Sequence, residues 1–377
     1  MIYLDNAATT FRKPKAVIRA VVSELKSSAN PGRGAHQASL QSLNRIWEAR
    51  EQLAKLFHLN TPERFILTPN ATYALNFAIK GWLKPGNHVI TTSMEHHSVY
   101  RPLHALSDIG VTVIKADAFG FINPRSVEAF IRPETALIIV NHSSNVNGAV
   151  QDIEEVNLIA KKHGIPLLLD LSQTAGAVDL DLTPYDMAAL PGHKGLYGPQ
   201  GTGALYLAPS IHLDPIIEGG TGSQSKEFSM PDFLPDRLES GTLNTPGFYG
   251  LAKGVSFVIQ EGPQAILAHE HRLLSTLMEA LYNMKEVVSY SPKNILRLSN
   301  SLAFGIQNQE SGKTAELLNR RFHIGVRPGF HCAYPAHETL GSQKLGAVRV
   351  SVSYFNTLRE IKKLIDAIHK IIKGTEH

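Results

Sequence analysis

The sequence predicts an α/β protein with a large domain, built on a mostly parallel sheet flanked by helices, and a smaller C-terminal α+β domain. Between about residues 60 and 210, short β-rich runs alternate with helical patterns, which is typical of βα units and a parallel sheet. After residue 255 the alternation is replaced by a long helical stretch followed by new strand candidates. The length of 377 residues is sufficient for two or three domains.

The predicted strands of the large domain are His88–Thr92, Val111–Lys115, Ala136–Asn141, Pro166–Asp170 and Gly203–Leu207. Helical patterns cover Asn70–Trp82 and Asp152–His163. In the second of these, Asp152 is the candidate N-cap and Gly164 the stop. Because ligands of such sheets bind outside the carboxyl ends of the strands, we expect the chemistry in the polar residues that follow each run.

The predicted small domain begins with the helical stretch Pro263–Lys285. Strand candidates follow at Leu302–Ile306 and Ala347–Val352, and an amphipathic helix covers Leu358–Lys373. The prediction is therefore a large domain over residues 15–262 and a small domain made of residues 1–14 and 263–377. We expect the first dozen residues to pack against the small domain or to cover the cleft.

Composition excludes several classes of protein. One cysteine excludes an intrachain disulfide, a Cys-rich zinc site and a CxxC redox pair. Lys and Arg exceed Asp and Glu by 37 − 33 = 4, too little to argue for nucleic-acid or membrane binding. We find neither a signal-peptide pattern nor an apolar run near the roughly 18 residues of a membrane span. We therefore expect a cytoplasmic protein with no nucleic-acid or membrane partner.

The clearest motif is LPGHKGLYGPQGTGALYL at residues 190–207, which places Lys194 between an apolar run and a glycine-rich turn. A lysine at the end of a strand in a cleft can form a Schiff base if burial lowers its pKa. A lone lysine flanked by glycines is more often a solvated loop residue. The functional interpretation of Lys194 therefore depends on its neighbours in the fold.

Those neighbours are polar residues at other strand ends. Asp170 ends the run IPLLLD and can pair with a cationic ring nitrogen, although it can also cap the next helix. Gln173 and Asn145 can each donate a hydrogen bond to a phenolic oxygen. His97, in EHHS, can stack on a ring, whereas we interpret His96 as an ordinary hydrogen-bonding residue.

Two segments are candidates for binding phosphate. TPNATYALN places Ala71 and Thr72 at a predicted helix start, where free N–H groups and the helix dipole favour an anion. LESGTLN places Thr242 on another glycine turn. A lysine, an acid, a ring stacker, donors to a phenolic oxygen and a phosphate cradle are together what a pyridoxal phosphate site requires.

With these motifs the chain resembles the class V branch of fold-type I pyridoxal-phosphate enzymes, and most closely the cysteine desulfurases and selenocysteine lyases. The matching segments run in the family's order from residue 3 to 332. With the later GAVRVSVSYFN segment they cover nearly the whole chain. They are YLDNAATT, ATYALN, EHHS, SNVNG, LLLDLSQTAGA, GHKGLYGPQGTG, ESGTLNTP and RPGFHC.

The resemblance implies a role for each matching residue. It implies that Lys194 binds the cofactor aldehyde, that Asp170 pairs with the pyridine nitrogen, and that His97 stacks on the ring. The remaining cofactor residues are Asn145 and Gln173 at the phenolic oxygen, and Ala71, Thr72 and His193 at the phosphate, with Thr242 supplied by a second subunit. The expected substrate-binding residues are Arg349 for the substrate carboxylate, with Asn145, Arg327 and His36, and Arg33 is a further candidate.

Cys332 decides between activities. A lone cysteine is most often buried and inert, but RPGFHCAYPAHETLG is polar and is typical of a constrained loop. We expect Arg327, His331 and His337 to favour a thiolate. In the desulfurases a cysteine at this place attacks the substrate sulfur and carries it as a persulfide. The R-x-G-x-H-C spacing resembles the second desulfurase group, whose loop is short and ordered.

The chain departs from the family at a few positions. Pro191 stands where a small hydroxyl residue usually binds phosphate, so that interaction is missing or supplied elsewhere. Leu171 and Ser172 stand where the family often has Gly and Ala. A P-loop interpretation of ESGKT fails because position 307 is Gln307 instead of Gly. The 17 histidines include no clean metal set and HExxH is absent, so we predict no metal site.

The sequence thus predicts a pyridoxal 5'-phosphate-dependent lyase that takes sulfur from L-cysteine, or selenium from L-selenocysteine, and leaves L-alanine. Lys194, Cys332 and His97 are the predicted catalytic residues. Because the chain has one cysteine, a persulfide on Cys332 needs a second thiol from a sulfur-acceptor protein or a small molecule. The family implies a homodimer with a shared active site. Two alternatives stay open: another class V activity (sulfinate lyase, aminotransferase or epimerase) with Cys332 incidental, and a non-catalytic protein on this fold.

Overall fold

The computed structural model describes residues 1–32 and 34–374. Within them the strands are β1 (Ile2–Tyr3), β2 (Phe65–Thr68), β3 (His88–Thr92), β4 (Gly110–Ile114), β5 (Thr135–Asn141), β6 (Leu167–Asp170), β7 (Met187–Pro191), β8 (Gly203–Leu207), β9 (Val287–Ser289), β10 (Ser301–Ile306), β11 (Ile324–Gly325) and β12 (Val348–Ser351). The helices are α1 (Lys15–Ser27), α2 (Gln37–Leu56), α3 (Ala71–Trp82), α4 (His97–His104), α5 (Pro124–Ala129), α6 (Ile153–Lys162), α7 (Thr245–Glu261), α8 (Pro263–Tyr282), α9 (Ser311–Phe322), α10 (Tyr334–Leu340) and α11 (Leu358–Ile372).

The central sheet has the strand order β2-β8-β7-β6-β5-β3-β4. Neighbours from β7 to β4 are parallel, and β8 runs antiparallel to both β7 and β2. Strands β6 and β7 are buried along their whole length, as expected for a parallel sheet covered on both faces. The predicted α/β fold is confirmed, and the five predicted strands of this domain match β3, β4, β5, β6 and β8 to within one residue.

Side-chain caps explain where two helices of this domain begin. The side chain of Asn70 accepts a hydrogen bond from the Tyr73 N–H at the start of α3, and Asp152 accepts one from Glu155 at the start of α6. Helix α6 ends before Gly164, which has a φ of +66°, a conformation that favours glycine. The predicted cap and stop of this helix are confirmed.

A second core lies in the C-terminal part of the chain. Strands β12, β10 and β9 form an antiparallel sheet in that order. Its apolar face packs with the buried sides of α8 and α11 through side chains such as Phe304, Leu277 and Leu364. The large-domain core is a separate cluster. The exact boundary at residues 262 and 263 stays a prediction, since α7 and α8 are separated there only by Gly262.

The N-terminal segment joins the two cores. Strand β1 pairs in parallel with β11 in the C-terminal part, and Asp5 forms a bridge with Ser351. A few residues later the Thr10 N–H donates to the His193 carbonyl at 3.1 Å, next to Lys194. The predicted packing of the first dozen residues against the small domain is confirmed. Among the described residues, no helix is both long and apolar enough to span a bilayer.

Candidate active site

A cavity opens at the carboxyl ends of β5, β6 and β7, where ligands of parallel sheets bind. Its volume is about 90 Å³. It brings together all the predicted cofactor residues except His97 and Thr242. The lining consists of Asn70, Ala71, Thr72, His96, Ser98, Asn141, Ser143, Asn145, Asp170, Ser172, Gln173, Pro191, His193 and Lys194.

Lys194 follows β7 by three residues and lies in the glycine-rich turn. Burial lowers its pKa to about 8, the Asp170 carboxylate raises it, and the Arg349 guanidinium lowers it further. The turn packs tightly because its glycines lack side chains. A Cβ on Gly203 would lie 2.8 Å from the Asn70 Cα, so glycine there lets β8 approach the start of α3. The amine therefore lies in the same cavity as the start of α3, and its lowered pKa leaves a part of it neutral near pH 7.

Asp170 is the last residue of β6 and is buried. Its Oδ1 accepts a hydrogen bond from the Ser172 N–H at 2.9 Å. Burial raises its pKa, while the Ser172 hydrogen bonds and the Lys194 charge oppose the rise. Asp170 forms no ion pair within the part of the chain that the structure describes. A buried carboxylate in this setting is suited to a cationic ligand group.

The structure places His96, instead of His97, in the cavity. His96 is the N-cap of α4, and its Nδ1 accepts a hydrogen bond from the Ser98 N–H at 3.0 Å. Burial lowers the His96 pKa to about 4, with Lys194 the next cause, so the ring is neutral at pH 7. His97 begins α4 and its ring lies outside the cavity. As the N-cap, His96 hydrogen-bonds to the start of the helix and lines the cavity, whereas His97 lines only the cleft that contains Cys332.

The residues predicted to bind phosphate lie at the start of α3 and in the turn before Lys194. Ala71 and Thr72 are the first two residues of this 12-residue helix, and their N–H groups have no partner within a helix. The Thr72 and Ser98 hydroxyls lie 2.8 Å apart. The His193 Nδ1 is buried and has no hydrogen-bond partner among the described residues. Burial lowers the His193 pKa to about 4, followed by the charges of Lys194 and Lys13.

Pro191 also lines the cavity and has no hydrogen-bond donor to offer. The hydroxyls of Ser98, Ser143 and Ser172 line the same space. The strand-end argument from the sequence missed Asn70, His96, Ser98, Asn141 and Ser143 as lining residues. All five follow β2, β3 or β5 closely or end one of these strands, so a wider use of the strand-end rule would have found them.

Asn145 connects the cavity to the C-terminal part of the chain. Its Nδ2 donates to the His331 carbonyl at 2.7 Å, and its own carbonyl accepts from Arg349 Nη1 at 2.7 Å. Its Oδ1 is buried without a partner among the described residues. Asn145 thus holds both the cysteine loop and the predicted substrate arginine.

Arg349 lies in β12 and is only 4% exposed. Its Nη2 donates to Asp5 Oδ1 at 2.8 Å. Arg327 forms an antiparallel bridge with Arg349 through paired backbone hydrogen bonds. Its side chain is 50% exposed, and its Nη1 lies 3.9 Å from Asp5 Oδ2. Asp5 is a partner that the sequence did not suggest, because it is 344 residues away from Arg349.

Cys332 is exposed, and so the alternative of a buried apolar cysteine is wrong. Its φ of +55° and the +50° of His331 place both residues in the left-handed region. The Cys332 carbonyl accepts from the His97 N–H at 2.8 Å. A cleft of about 390 Å³ contains Cys332 and His97, and it shares Thr72, His96 and Ser98 with the Lys194 cavity. Cys332 therefore lies on a cleft that borders that cavity, and we call this border the rim.

The expectation that His331 and His337 supply positive charge to the thiol is wrong. Burial lowers the pKa of His337 to about 4 and that of His331 well below its usual value, so both rings are neutral. His331 Nε2 donates to the Arg327 carbonyl at 3.1 Å, and its Nδ1 accepts from His337 Nε2 at 3.1 Å. His337 Nδ1 in turn lies 2.7 Å from the Ser342 hydroxyl. These rings hold the cysteine loop in place without charging it.

Two further predicted residues, Thr242 and His36, lie apart from the cavity. Thr242 is exposed and lines a different pocket with Tyr73 and Ile217. His36 is exposed and caps α2, where its Nδ1 accepts from the Ser39 N–H at 3.3 Å. Arg33 lies outside the described residues. Among those residues, no group of three or more His, Cys, Asp or Glu side chains could hold a metal ion.

Known proteins resemble this chain over nearly its whole length. The family described as aminotransferase class-V matches residues 2–364. A probable cysteine desulfurase of Methanothermobacter thermautotrophicus is 35% identical over 383 residues, covering 98% of this chain and 94% of the relative. One from Pyrococcus abyssi is 30% identical over 390 residues, covering 99% and 95%.

A solved structure gives the same result at the level of the fold. The apo structure of cysteine desulfurase from Thermococcus onnurineus superposes with a TM-score of 0.91 at 30% identity, covering 99% of this chain and 95% of that chain. The similarity extends from the N-terminal segment to α11.

Proposed function

The chain belongs to the class V aminotransferase family, and on that premise we propose that it is a cysteine desulfurase that moves the sulfur of L-cysteine to Cys332 and leaves L-alanine. One observation carries the proposal. The exposed Cys332 lies on a cleft that shares Thr72, His96 and Ser98 with the Lys194 cavity. This arrangement supports a role for the Cys332 thiol in chemistry that begins at Lys194 and Asp170.

The cavity residues fit pyridoxal 5'-phosphate. The neutral fraction of Lys194 suits an aldehyde, and the buried Asp170 suits a cationic ring nitrogen. The start of α3 and the unpartnered His193 Nδ1 suit a phosphate. This donor set matches each part of the group. We assign Lys194, Asp170, Gln173, Asn145, Ala71, Thr72 and His193 to hold it.

Two assignments differ from what the sequence alone favoured. We assign the ring-stacking role to His96, because its neutral ring lies in the cavity and that of His97 does not. Pro191 offers phosphate no donor, and we assign this part of phosphate binding to the hydroxyls of Thr72 and Ser98, which lie together at the start of α3. The assignment of Thr242 to a second subunit, and with it a homodimer, is retained as part of the proposal.

The bound cofactor supplies an electron sink for the carbanion formed at the substrate Cα. Lys194 removes the Cα proton as general base, since its lowered pKa keeps a usable fraction of the amine neutral near pH 7. Asp170 holds the proton on the ring nitrogen. Arg349 binds the substrate carboxylate and thereby orients the Cα–H bond toward Lys194.

The Cys332 thiolate then attacks the substrate sulfur. A bond forms between the two sulfur atoms, the bond between the substrate Cβ and its sulfur breaks, and that electron pair remains on Cβ, which takes up a proton. Lys194 returns to Cα the proton that it removed, and this completes alanine. Asn145 and the His331–His337 pair keep Cys332 at the rim during this step. L-Selenocysteine is the second substrate we propose for the same site.

The persulfide must be discharged by another molecule. Cys332 is the chain's single cysteine, so a thiol of an acceptor protein or a small thiol attacks the outer sulfur and regenerates the Cys332 thiolate. Because this cycle needs a reduced thiol, we propose a cytoplasmic location.

Intact-mass measurement tests the proposal. Protein loaded with pyridoxal 5'-phosphate and given L-cysteine without reductant should gain the mass of one sulfur atom and release L-alanine. Cys332→Ala should bind the cofactor with an unchanged absorbance spectrum and gain no sulfur. Lys194→Ala should lose the spectrum that borohydride abolishes in the wild type.

Different products would point to the alternatives. Equal alanine and sulfide formation by wild type and Cys332→Ala would overturn the persulfide step. A keto acid from the amino acid would indicate an aminotransferase, and sulfite from cysteine sulfinate with no reaction of cysteine would indicate a sulfinate lyase. Failure to bind the cofactor and to turn over any amino acid would leave a non-catalytic protein.

A further inference from the structure

Two cationic side chains line the cleft that contains Cys332. They are Lys80 on α3 and Arg101 on α4, and both are exposed. Within the part of the chain that the structure describes, neither forms an ion pair, and no Asp or Glu lines the cleft. Glu338 on α10 acts on the Tyr100 hydroxyl of α4 but does not line the cleft. The cleft therefore carries positive charge that this chain does not neutralise.

Helix geometry places these charges on the walls of the cleft. Thr72, Asn76 and Lys80 are spaced four residues apart on α3, and so they lie on one face of that helix. His97 and Arg101 have the same spacing on α4. Burial lowers the pKa of His97, and the Arg101 charge lowers it further. The Arg101 charge therefore acts at the His97 end of the cleft.

The cysteine loop is held at that end. The His97 N–H donates to the Cys332 carbonyl at 2.8 Å. Asn145 Nδ2 donates to the carbonyl of the preceding residue, His331, at 2.7 Å. Because the backbone is tied at both positions, we expect Cys332 to stay on the cleft, so that a sulfur acceptor has to enter it. Its volume of about 390 Å³ is in the range of pockets for small molecules.

The charge of the cleft indicates which small molecule fits. Unneutralised cations attract an anion, and charges exposed to water do so in a salt-dependent way. Nearby cations also favour the thiolate form of an incoming thiol, which is the nucleophilic form. A thiol that carries a carboxylate gains from both effects, whereas an uncharged thiol gains only from the second.

We propose that the cleft binds a small thiol that carries a carboxylate, which interacts with Lys80 and Arg101 while the sulfur of the same molecule discharges Cys332. The inference rests on the proposed function and deepens it by naming the chemical class of the sulfur acceptor. The acceptor thiolate forms a bond to the outer sulfur of the Cys332 persulfide. The bond between that sulfur and Cys332 Sγ breaks, its electron pair stays on Sγ as a thiolate, and the acceptor leaves as a persulfide.

Single-turnover discharge tests this. Cofactor-loaded protein is given one equivalent of L-cysteine, separated from small molecules, and mixed with mercaptopropionate, mercaptoethanol or cysteamine, which are anionic, neutral and cationic thiols. Intact mass gives the rate at which one sulfur is lost. In Arg101→Gln and in Lys80→Gln, the rate with mercaptopropionate relative to mercaptoethanol should fall about threefold, and in the double variant about tenfold. The rate with cysteamine relative to mercaptoethanol should rise.

Two controls accompany this measurement. Lys362→Gln makes the same charge change at an exposed position of α11 and should keep the wild-type ratios. The first turnover should release L-alanine equally in all variants, because neither Lys80 nor Arg101 lines the Lys194 cavity. Both side chains are exposed, so we expect the variants to fold.

Alkylation gives a second readout that needs no persulfide. Iodoacetate and iodoacetamide differ in charge and label the same atom, since Cys332 is the single cysteine. The rate with iodoacetate relative to iodoacetamide should fall about threefold in Arg101→Gln and in Lys80→Gln, and added salt should reduce it in the wild type.

The outcomes separate this inference from the function on which it rests. Unchanged ratios in both single variants would overturn it. A lowered alkylation ratio with equal discharge by all three thiols would also overturn it, and would point to an acceptor protein instead. A wild type that gains no sulfur from L-cysteine would overturn the proposed function, and this inference with it.

Discussion

The pH dependence of cofactor capture tests the chemistry assigned to Lys194. Only the neutral amine attacks an aldehyde, so the rate at which the apoprotein captures pyridoxal 5'-phosphate follows the neutral fraction of Lys194. Burial lowers the pKa of this amine from 10.5 to about 8. A lowered pKa means that the amine loses its proton at lower pH, and the capture rate should therefore rise as the pH passes through about 8.

The size of the effect follows from the pKa. At pH 7.5 an amine with a pKa of about 8 is about one-quarter neutral, whereas one with a pKa of 10.5 is about one-thousandth neutral. Burial thus increases the reactive fraction about 200-fold at this pH. If the Lys194 amine were exposed to water, its pKa would return toward 10.5 and most of this increase in the neutral fraction would be lost.

The assay is rapid-mixing absorbance of apoprotein with pyridoxal 5'-phosphate over a pH series centred on 8. Nα-acetyl-lysine is the control for an amine in water, and its rate should still be rising at the alkaline end of the series. Lys194→Ala should show no protein-bound cofactor band that borohydride abolishes. Lys13, whose pKa burial also lowers to about 8, is checked with Lys13→Ala.

If the capture rate rose with a midpoint near the pKa of the free amine, the reasoning would be refuted. That result would mean that the Lys194 amine is hydrated in the apoprotein. Capture that survives in Lys194→Ala and is lost in Lys13→Ala would refute the assignment of the lysine.

Two further predictions concern the cavity and the second core. His96→Ala should weaken cofactor binding and change the cofactor spectrum, whereas His97→Ala should leave both unchanged, because only the His96 ring lines the cavity; the reverse result would restore the sequence-based choice. In urea unfolding, Leu277→Ala should lose about 2–5 kcal/mol, since this side chain is fully buried. Leu158→Ala, at a 68% exposed position on α6, should stay within about 0.5 kcal/mol of the wild type, and equal losses would contradict the second core.

Local patterns were sufficient to predict many of the elements around the site, although β7, the strand before Lys194, was not among the predicted strands. The run His88–Thr92 and the cap at Asp152 are short-range features, and the structure reproduces both. Strand ends of a parallel sheet meet at one edge, so Asn145, Asp170 and Lys194 could be expected to meet there. The structure brings all three into one cavity.

Other features of the site depend on distances that a sequence does not contain. Two adjacent histidines are equivalent in sequence, and the start of α4 decides that His96 points into the cavity. His331 and His337 looked like cations beside Cys332, but their charge depends on burial, which is a property of the packed loop.

The sequence by itself determined the alternation of strands and helices in the large domain, the strand-end positions of Asn145 and Asp170, and the single thiol that could carry sulfur. These depend on hydrophobic periodicity, on caps and on counting, all of which act within a few residues. The tertiary structure alone decided which histidine faces the ring site, that Cys332 is exposed at its rim, and that Asp5 pairs with Arg349. Each of these is set by packing between segments far apart in the chain, because burial and charge pairing are fixed only when those segments meet.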